Sequence, residues 1–360
     1  MQTLVIADSA FVLRERSLIR RLLVGLTDEG LRVRCAIPSS LEGSVNLDVI
    51  TDVIGYEARG MLLSRSARVA SLLRKLRTLE GDEPKLDIVH VFGGSAWSFG
   101  VDVARRTGAL AALEVWRPGL VDRAKSFRSG DARVAFFAPS PGIERVLLRE
   151  GAGLLVRLTP WGVHLPRSPH VILRPNRLAT VMLAGSGRNQ AGFMDAFVGA
   201  CNVAASRQDI MLFVDADAAQ RAGLWRHARH MGVLDRVSLI DATEDRRDLV
   251  VRADILLYPE SRGEQRTLIL DAMAGGMAII ASDDPLVPSL IPDQTARVLK
   301  HASAEMWEGE LRRLLEHPDE AQTLGQSARD RIRLDFRATT HIRSVVEAYE
   351  WLNSPTAIPF

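Results

Sequence analysis

What most limits the fold of this chain is an alternation. Short apolar, β-branched runs recur along it, each followed by a stretch whose apolar residues have helical spacing. Thr3–Ala7 reads as a buried strand, and Leu18, Ile19, Leu22, Leu23 and Leu26 then share one face of a helix that Gly30 stops. The cycle continues with a strand over Arg32–Ile37, a helix over Gly60–Leu79 and a strand over Leu86–Phe92. A helix over Ala96–Arg106 and a strand over Leu110–Val115 follow. Such a chain can satisfy its backbone as a parallel sheet covered by helices on both faces.

Between Thr159 and Arg177 the alternation fails, at Pro160, Pro166, Pro169 and Pro175. Proline breaks helices and interior strands alike, so a linker is expected here. The pattern restarts with the strands Thr180–Ala184, Ile210–Val214, Val237–Ile240, Ile255–Tyr258 and Met277–Ala281. Helices over Gly192–Ser206, Ala218–His230, Asp245–Val251 and Thr267–Ala274 separate them. Three more close the chain near Ala304–Leu315, Glu320–Leu334 and Thr339–Leu352. The expected fold is α/β, with two doubly wound Rossmann-like domains facing a cleft. Residues 1–165 would form the first domain, 166–178 the linker and 179–336 the second, with 337–360 packing back toward the first. Ligands of such sheets bind beyond the carboxyl ends of the strands, which makes the cleft the expected site.

Composition agrees with this. At 360 residues, 47% hydrophobic and 25% charged, the chain can fill two cores, which excludes wholesale disorder and collagen-like repeats. Cys35 and Cys201 form no zinc spacing and no disulfide scaffold, as in a reducing compartment. The start MQTLVIADSA has no basic leader, and no uncharged stretch reaches the roughly 20 residues that span a bilayer. A soluble, cytoplasmic protein is expected. The charge is uneven, net +6 through Arg167 and −4 beyond it. Two halves with different partners would show this, and so would two unequal solvated surfaces.

From Ala253 the sequence reads ADILLYPESRGEQRTLILDAMAGGMAIIAS. This resembles the signature stretch of the retaining GT-B glycosyltransferases of group-4 type: a strand ending in Pro, an acidic loop, then a helix reading Glu-Ala-Met-Ala-x-Gly. MGVLDRVSLID resembles the passage before their donor loop, LDIVHVFGG their first-domain strand ending in His and glycines, and LTPWGVHLP their linking turn. The resemblance covers nearly the whole chain in order. It implies a GT-B fold and a nucleotide-sugar donor on the second domain. The acceptor, a sugar, lipid-linked or other small molecule, would lie on the first.

The resemblance also implies roles, residue by residue. The two carboxylates that bracket the family's donor loop fall on Gly263, with Glu264 displaced by one, and on Asp271. The backbone donors to the diphosphate fall on Gln265 and Arg266, next to Thr267. The phosphate-binding Arg and Lys fall on Ser186 and Ala191, and a first-domain His falls on Trp116. Glu264 and His90 are the implied catalytic groups. Arg14, Gly93, Gly94, Trp116 and Arg117 are the implied acceptor contacts.

The residues themselves suggest a chemistry for this divergent donor site. Sugar transfer without a protein nucleophile needs cations and N–H donors on the leaving diphosphate, and a group fixing the donor hydroxyls. Arg188, in the loop Gly185-Ser186-Gly187-Arg188, and Arg266 could replace the missing Arg and Lys. Gly185 and Gly187 would let an anion approach the backbone beside a helix N-terminus. The alternative is a glycine turn with two solvated arginines. Gln190 stands where a third glycine would complete a dinucleotide fingerprint, which argues against NAD. Glu264 is either a helix cap or a ligand contact. Asp271, set in LILDAMAGG, needs a buried partner or a ligand hydroxyl.

Other features are bland or open. His90, expected at a strand end facing the cleft mouth, is a structural histidine or else an acceptor contact or general base. Asp215-x-Asp217 reads as turn chemistry before it reads as a metal pair, and neither a metal site nor a cofactor is expected. The helix over 59–77 carries Arg65, Arg68, Arg74, Lys75 and Arg77, a solvated face or a peripheral contact with the inner membrane face. Basic residues over Arg123–Arg133 would suit a phosphate-bearing acceptor. Aromatics are too few among these cations for nucleic-acid stacking. Two functions remain: a glycosyltransferase with an atypical donor site, or a catalytically silent GT-B scaffold binding a sugar, lipid or protein.

Overall fold

The computed structural model describes residues 1–44, 47, 51–58, 64–81, 85–127, 133–151, 153–168, 170–240 and 252–354. The chain divides into two compact units. Unit 1 is 1–161 together with the helix Ala338–Asn353, and unit 2 is 162–337.

Unit 1 holds seven strands: β1 (Gln2–Ala7), β2 (Arg32–Pro38), β3 (Val53–Tyr56), β4 (Ile88–Phe92), β5 (Leu110–Glu114), β6 (Val134–Ala138) and β7 (Leu155–Leu158). They form one parallel sheet in the order β3-β2-β1-β4-β5-β6-β7. β1 and β4 are buried along almost their whole length, and mostly apolar, because helices cover both faces of the sheet. The helix Ser9–Asp28 starts where Asp8 Oδ1 accepts the Phe11 N–H, and it buries Leu18, Ile19, Leu22, Leu23 and Leu26. Against it lies the helix Ala338–Asn353, whose Ile342 fills the space beside Gly25.

Unit 2 holds six strands: β8 (Ala179–Leu183), β9 (Ile210–Asp215), β10 (Val237–Ile240), β11 (Ile255–Tyr258), β12 (Ala278–Ser282) and β13 (Arg297–Leu299). Their order is β10-β9-β8-β11-β12-β13, again parallel. The core packs Phe193, Phe197 and Trp307 against Val181, Leu212 and Ile255. At the sheet's amino end, buried Asp254 accepts the Thr180 N–H and hydroxyl and the Leu173 N–H, and pairs with Arg177 at 2.5 Å. Burial alone would raise its pKa, but these bonds outweigh it and hold the carboxyl below its ordinary value. They tie the proline-rich segment to the first strand of unit 2.

Two doubly wound parallel sheets are therefore present, as the alternation requires. Several details differ. β3, β6, β7 and β13 were not expected. The single helix expected over Ala218–His230 is two, Ala216–Ala222 and Leu224–His230, broken at Gly223 with φ of 65°. The helix expected over Asp245–Val251 lies outside the described residues, as do parts of the basic segments 59–77 and 123–133.

Candidate functional site

In unit 2 the strand order reverses between β8 and β11, which pair directly. Ligands of open α/β sheets gather at such a switch point. Two loops meet there, 184–189 after β8 and 259–266 after β11. Glu260 Oε1 accepts the Ser186 N–H at 2.6 Å, the Ser186 hydroxyl at 2.9 Å and the Gly187 N–H at 3.1 Å. Arg188 Nη1 lies 3.3 Å from Glu264 Oε1, and Asn189 Nδ2 donates to the Pro259 carbonyl at 3.4 Å. Arg221 holds the loop from its other side through the Ser186 carbonyl. Gly185 packs closely here, and a Cβ on it would meet Glu260 Oε1 at 2.8 Å and displace that side chain.

The structure thus brings most of the expected donor set together, in an unexpected state. The glycines were expected to admit a ligand anion, and the anion they admit is Glu260. The Gly263 N–H is likewise engaged, by Asp284 Oδ2 at 2.6 Å. Burial, with Glu264 and Asp283 nearby, raises the Asp284 carboxyl above its ordinary pKa despite two backbone N–H bonds. Glu264, Gln265, Arg266 and Thr267 are all buried, and Asp271 is half-buried. The helix Thr267–Gly275 begins at Arg266 with no side chain capping it, which leaves a positive dipole end at the loop. Gln265 Oε1 is buried without a partner among the described residues. Asp215 caps the helix Ala216–Ala222 by accepting the Ala218 N–H at 3.2 Å, which is turn chemistry.

Unit 1 has a switch point of its own, between β1 and β4. A cavity of about 760 Å³ opens there beyond the carboxyl ends of β1, β2 and β3, lined by Asp8, Ser39, Ser40, Arg65, Arg68 and Ser95 among others. Asp8 Oδ2 accepts the Ser95 N–H at 3.2 Å and its hydroxyl at 2.7 Å, with Gly93 pressed against the carboxylate. Arg65 pairs with Asp102 at 2.5 Å, and Arg68 donates to the Glu57 and Ala58 carbonyls. None of Arg14, Gly93, Gly94, Trp116 and Arg117 lines this cavity, although Gly93 and Gly94 lead directly into Ser95. Trp116 is buried against Phe11, and Arg117 stacks over its ring at 5.2 Å.

His90 requires a correction. It does not end a strand but sits in the middle of β4, and it is 1% exposed. Its Nδ1 lies 2.7 Å from the Tyr349 hydroxyl and its Nε2 3.2 Å from Glu114 Oε2. Trp161 Nε1 donates to Glu114 Oε1 at 2.6 Å. Burial lowers His90 to about 3 and raises Glu114 to about 8, so at neutral pH both are uncharged. This buried network ties the helix Ala338–Asn353 and the end of unit 1's first segment to the sheet.

Sequence reasoning missed Glu260, Asp8 and Asp284. A shared signal was present: an acidic residue one or two positions past the end of a strand, as in IADS, YPES and ASDD.

Residues 189–331 match the family model described as Glycosyl transferases group 1. No curated protein matches the chain. Among solved structures, sucrose-phosphate synthase from Thermosynechococcus elongatus superposes with a TM-score of 0.72 at 15% identity, over 98% of this chain and 99% of that one. HepE of Anabaena in complex with UDP-glucose gives 0.72 at 12%, over 97% and 99%. A putative UDP-N-acetylglucosamine 2-epimerase from Listeria monocytogenes gives 0.64 at 14%, over 100% and 99%. At such identities the likeness establishes the fold. The chain therefore has the two-domain GT-B fold, and residues 189–331 of its second domain resemble the group 1 glycosyl transferases.

Proposed function

We propose that this protein moves a sugar from a nucleotide-diphosphate sugar to a hydroxyl-bearing acceptor, with retention at the anomeric carbon. The observation that carries the reading is the meeting of loops 184–189 and 259–266 at the unit 2 switch point, within or beside the segment that matches the glycosyltransferase family model. Arg188, Arg266 and the N-terminus of the helix Thr267–Gly275 would neutralise the leaving diphosphate. Asp271 would accept hydrogen bonds from the ribose hydroxyls, and Glu264 would touch the donor sugar. The solved structure of HepE with UDP-glucose lends the donor class support.

The unit 1 cavity is the proposed acceptor pocket. Its serine and carboxylate lining suits a polyhydroxy acceptor better than an acyl chain. Peripheral membrane contact has less behind it, because Arg65, Arg68 and Lys75 bond within unit 1. No helix among the described residues is long and apolar enough to cross a membrane.

A silent scaffold is the second reading, favoured by the carboxylates that fill the donor loops. A thermal-shift screen against nucleoside diphosphates and their sugars tests the first reading. A ligand at about 100 times its dissociation constant stabilises the fold by about 2.7 kcal/mol. A shift with one nucleotide series is the expected result, and no shift with any of them favours the scaffold.

A further inference from the structure

Several groups at the unit 2 switch point that could greet an anion already carry a carboxylate of the same chain. Glu260 holds the Ser186 and Gly187 amides, Asp284 holds the Gly263 amide, and Glu264 pairs with Arg188. Glu260 is the most telling of these. Two N–H groups and a hydroxyl converge on its Oε1, in a loop that links a strand to a helix. That is how a phosphate oxygen is received at such a loop. Its Oε2, by contrast, is buried with no partner among the described residues, so the carboxylate is only half satisfied where it sits. A phosphate, with more oxygens to share and more charge, would use the same donors more fully.

We propose that Glu260 is a resident competitor for the donor diphosphate and so sets donor affinity: the diphosphate reaches the Ser186 and Gly187 amides only when Glu260 withdraws. The inference rests on the nucleotide-sugar reading above and adds to it a specificity-determining residue that acts by occupancy. With Glu260 in place, a donor phosphate would meet three carboxylates, and the repulsion would outweigh what Arg188 and Arg266 supply. With Glu260 withdrawn, the loop exchanges one anion for another and keeps its hydrogen bonds.

The test is calorimetric titration of the full-length chain, of Glu260→Ser and of Glu260→Gln, with UDP and separately with inorganic pyrophosphate, alongside a melting curve of each protein. Removing the competitor in Glu260→Ser should tighten both probes by at least tenfold. Glu260→Gln keeps a carbonyl acceptor but not the charge, and should fall between. A folded Glu260→Ser that binds the probes as the unaltered chain does, or more weakly, overturns the proposal and leaves the donor reading standing. If Glu260→Ser does not fold, Glu260→Gln decides: at least threefold tighter binding supports competition, and unchanged or weaker binding overturns it. Should neither probe bind to any of the three, the competition and the nucleotide-sugar donor both fall.

Discussion

Glu260 Oε1 lies 2.6 Å from the Ser186 backbone nitrogen and also accepts that residue's hydroxyl. In unit 1 Asp8 Oδ2 makes the same two bonds to Ser95. In each unit the carboxylate and the serine follow two adjacent central strands, β1 and β4 or β8 and β11. The direction reverses, however. Unit 1 takes the carboxylate from its first strand's loop, and unit 2 takes it from the later strand's. Each clasp places a carboxylate of the chain's own at its sheet's switch point.

Gly185 should be intolerant of a side chain for a reason that can be isolated. Its added Cβ would meet Glu260 Oε1 at 2.8 Å and Cγ at 3.0 Å. Gly185→Ala should lower stability by about 1–3 kcal/mol, the range for disturbing a buried hydrogen-bonded group. In a Glu260→Ser background the same substitution should cost far less. Denaturant unfolding of the four proteins of this cycle measures the coupling, and additive effects would contradict the packing argument.

The His90–Glu114 network predicts opposing pH dependences. Glu114 rises from 4.5 to about 8 on folding, so its contribution is complete below 4.5 and is lost as pH climbs to 8. His90 falls from 6.5 to about 3, so its contribution is complete above 6.5 and is lost on acidification toward 3. Between 4.5 and 6.5 the two oppose each other, and from 6.5 to 8 Glu114 acts alone. Stability should therefore decline across that upper window, by up to about 1.4 kcal/mol per pH unit. Glu114→Gln should remove this decline. Melting curves of both proteins between pH 6 and 8.5 check it, and parallel slopes would contradict the assignment.

The sheets were readable because a strand covered on both faces is predominantly apolar, as Leu4–Ala7 is throughout and Ile88–Phe92 is apart from His90. Some of the strands that escaped notice are short or less buried, though β6 is five buried residues. β13 has three residues, and β7, at the sheet edge, carries an exposed Arg157. The candidate site was legible as a set of segments and not as a set of bonds. Glu260 meets Ser186 across 74 positions, and His90 meets Tyr349 across 259. Local pattern places a carboxylate past a strand end, but only the closed sheet decides which amide it takes.

Asp271 separates the two functional readings. In a transferase it accepts donor hydroxyls, which Asn imitates only in part because its amide has a single acceptor oxygen. Asp271→Asn should weaken donor binding about tenfold, or about 1.4 kcal/mol, in a protein that still folds. Lost stability with no nucleotide binding to lose would indicate a structural carboxylate and a silent scaffold.

Arg266 offers the most direct measurement of the central claim, that unit 2 handles the diphosphate of a nucleotide-sugar at the N-terminus of helix Thr267–Gly275. It is 4% exposed and stands at the start of that uncapped helix. The measurement is release of nucleoside diphosphate from a panel of nucleotide-sugars, by the unaltered chain and by Arg266→Ala. The account predicts release from at least one donor, reduced by about 10- to 100-fold in Arg266→Ala while the variant stays folded, the scale of a lost charge-assisted hydrogen bond. Release from no donor, or equal release by both proteins, would contradict it.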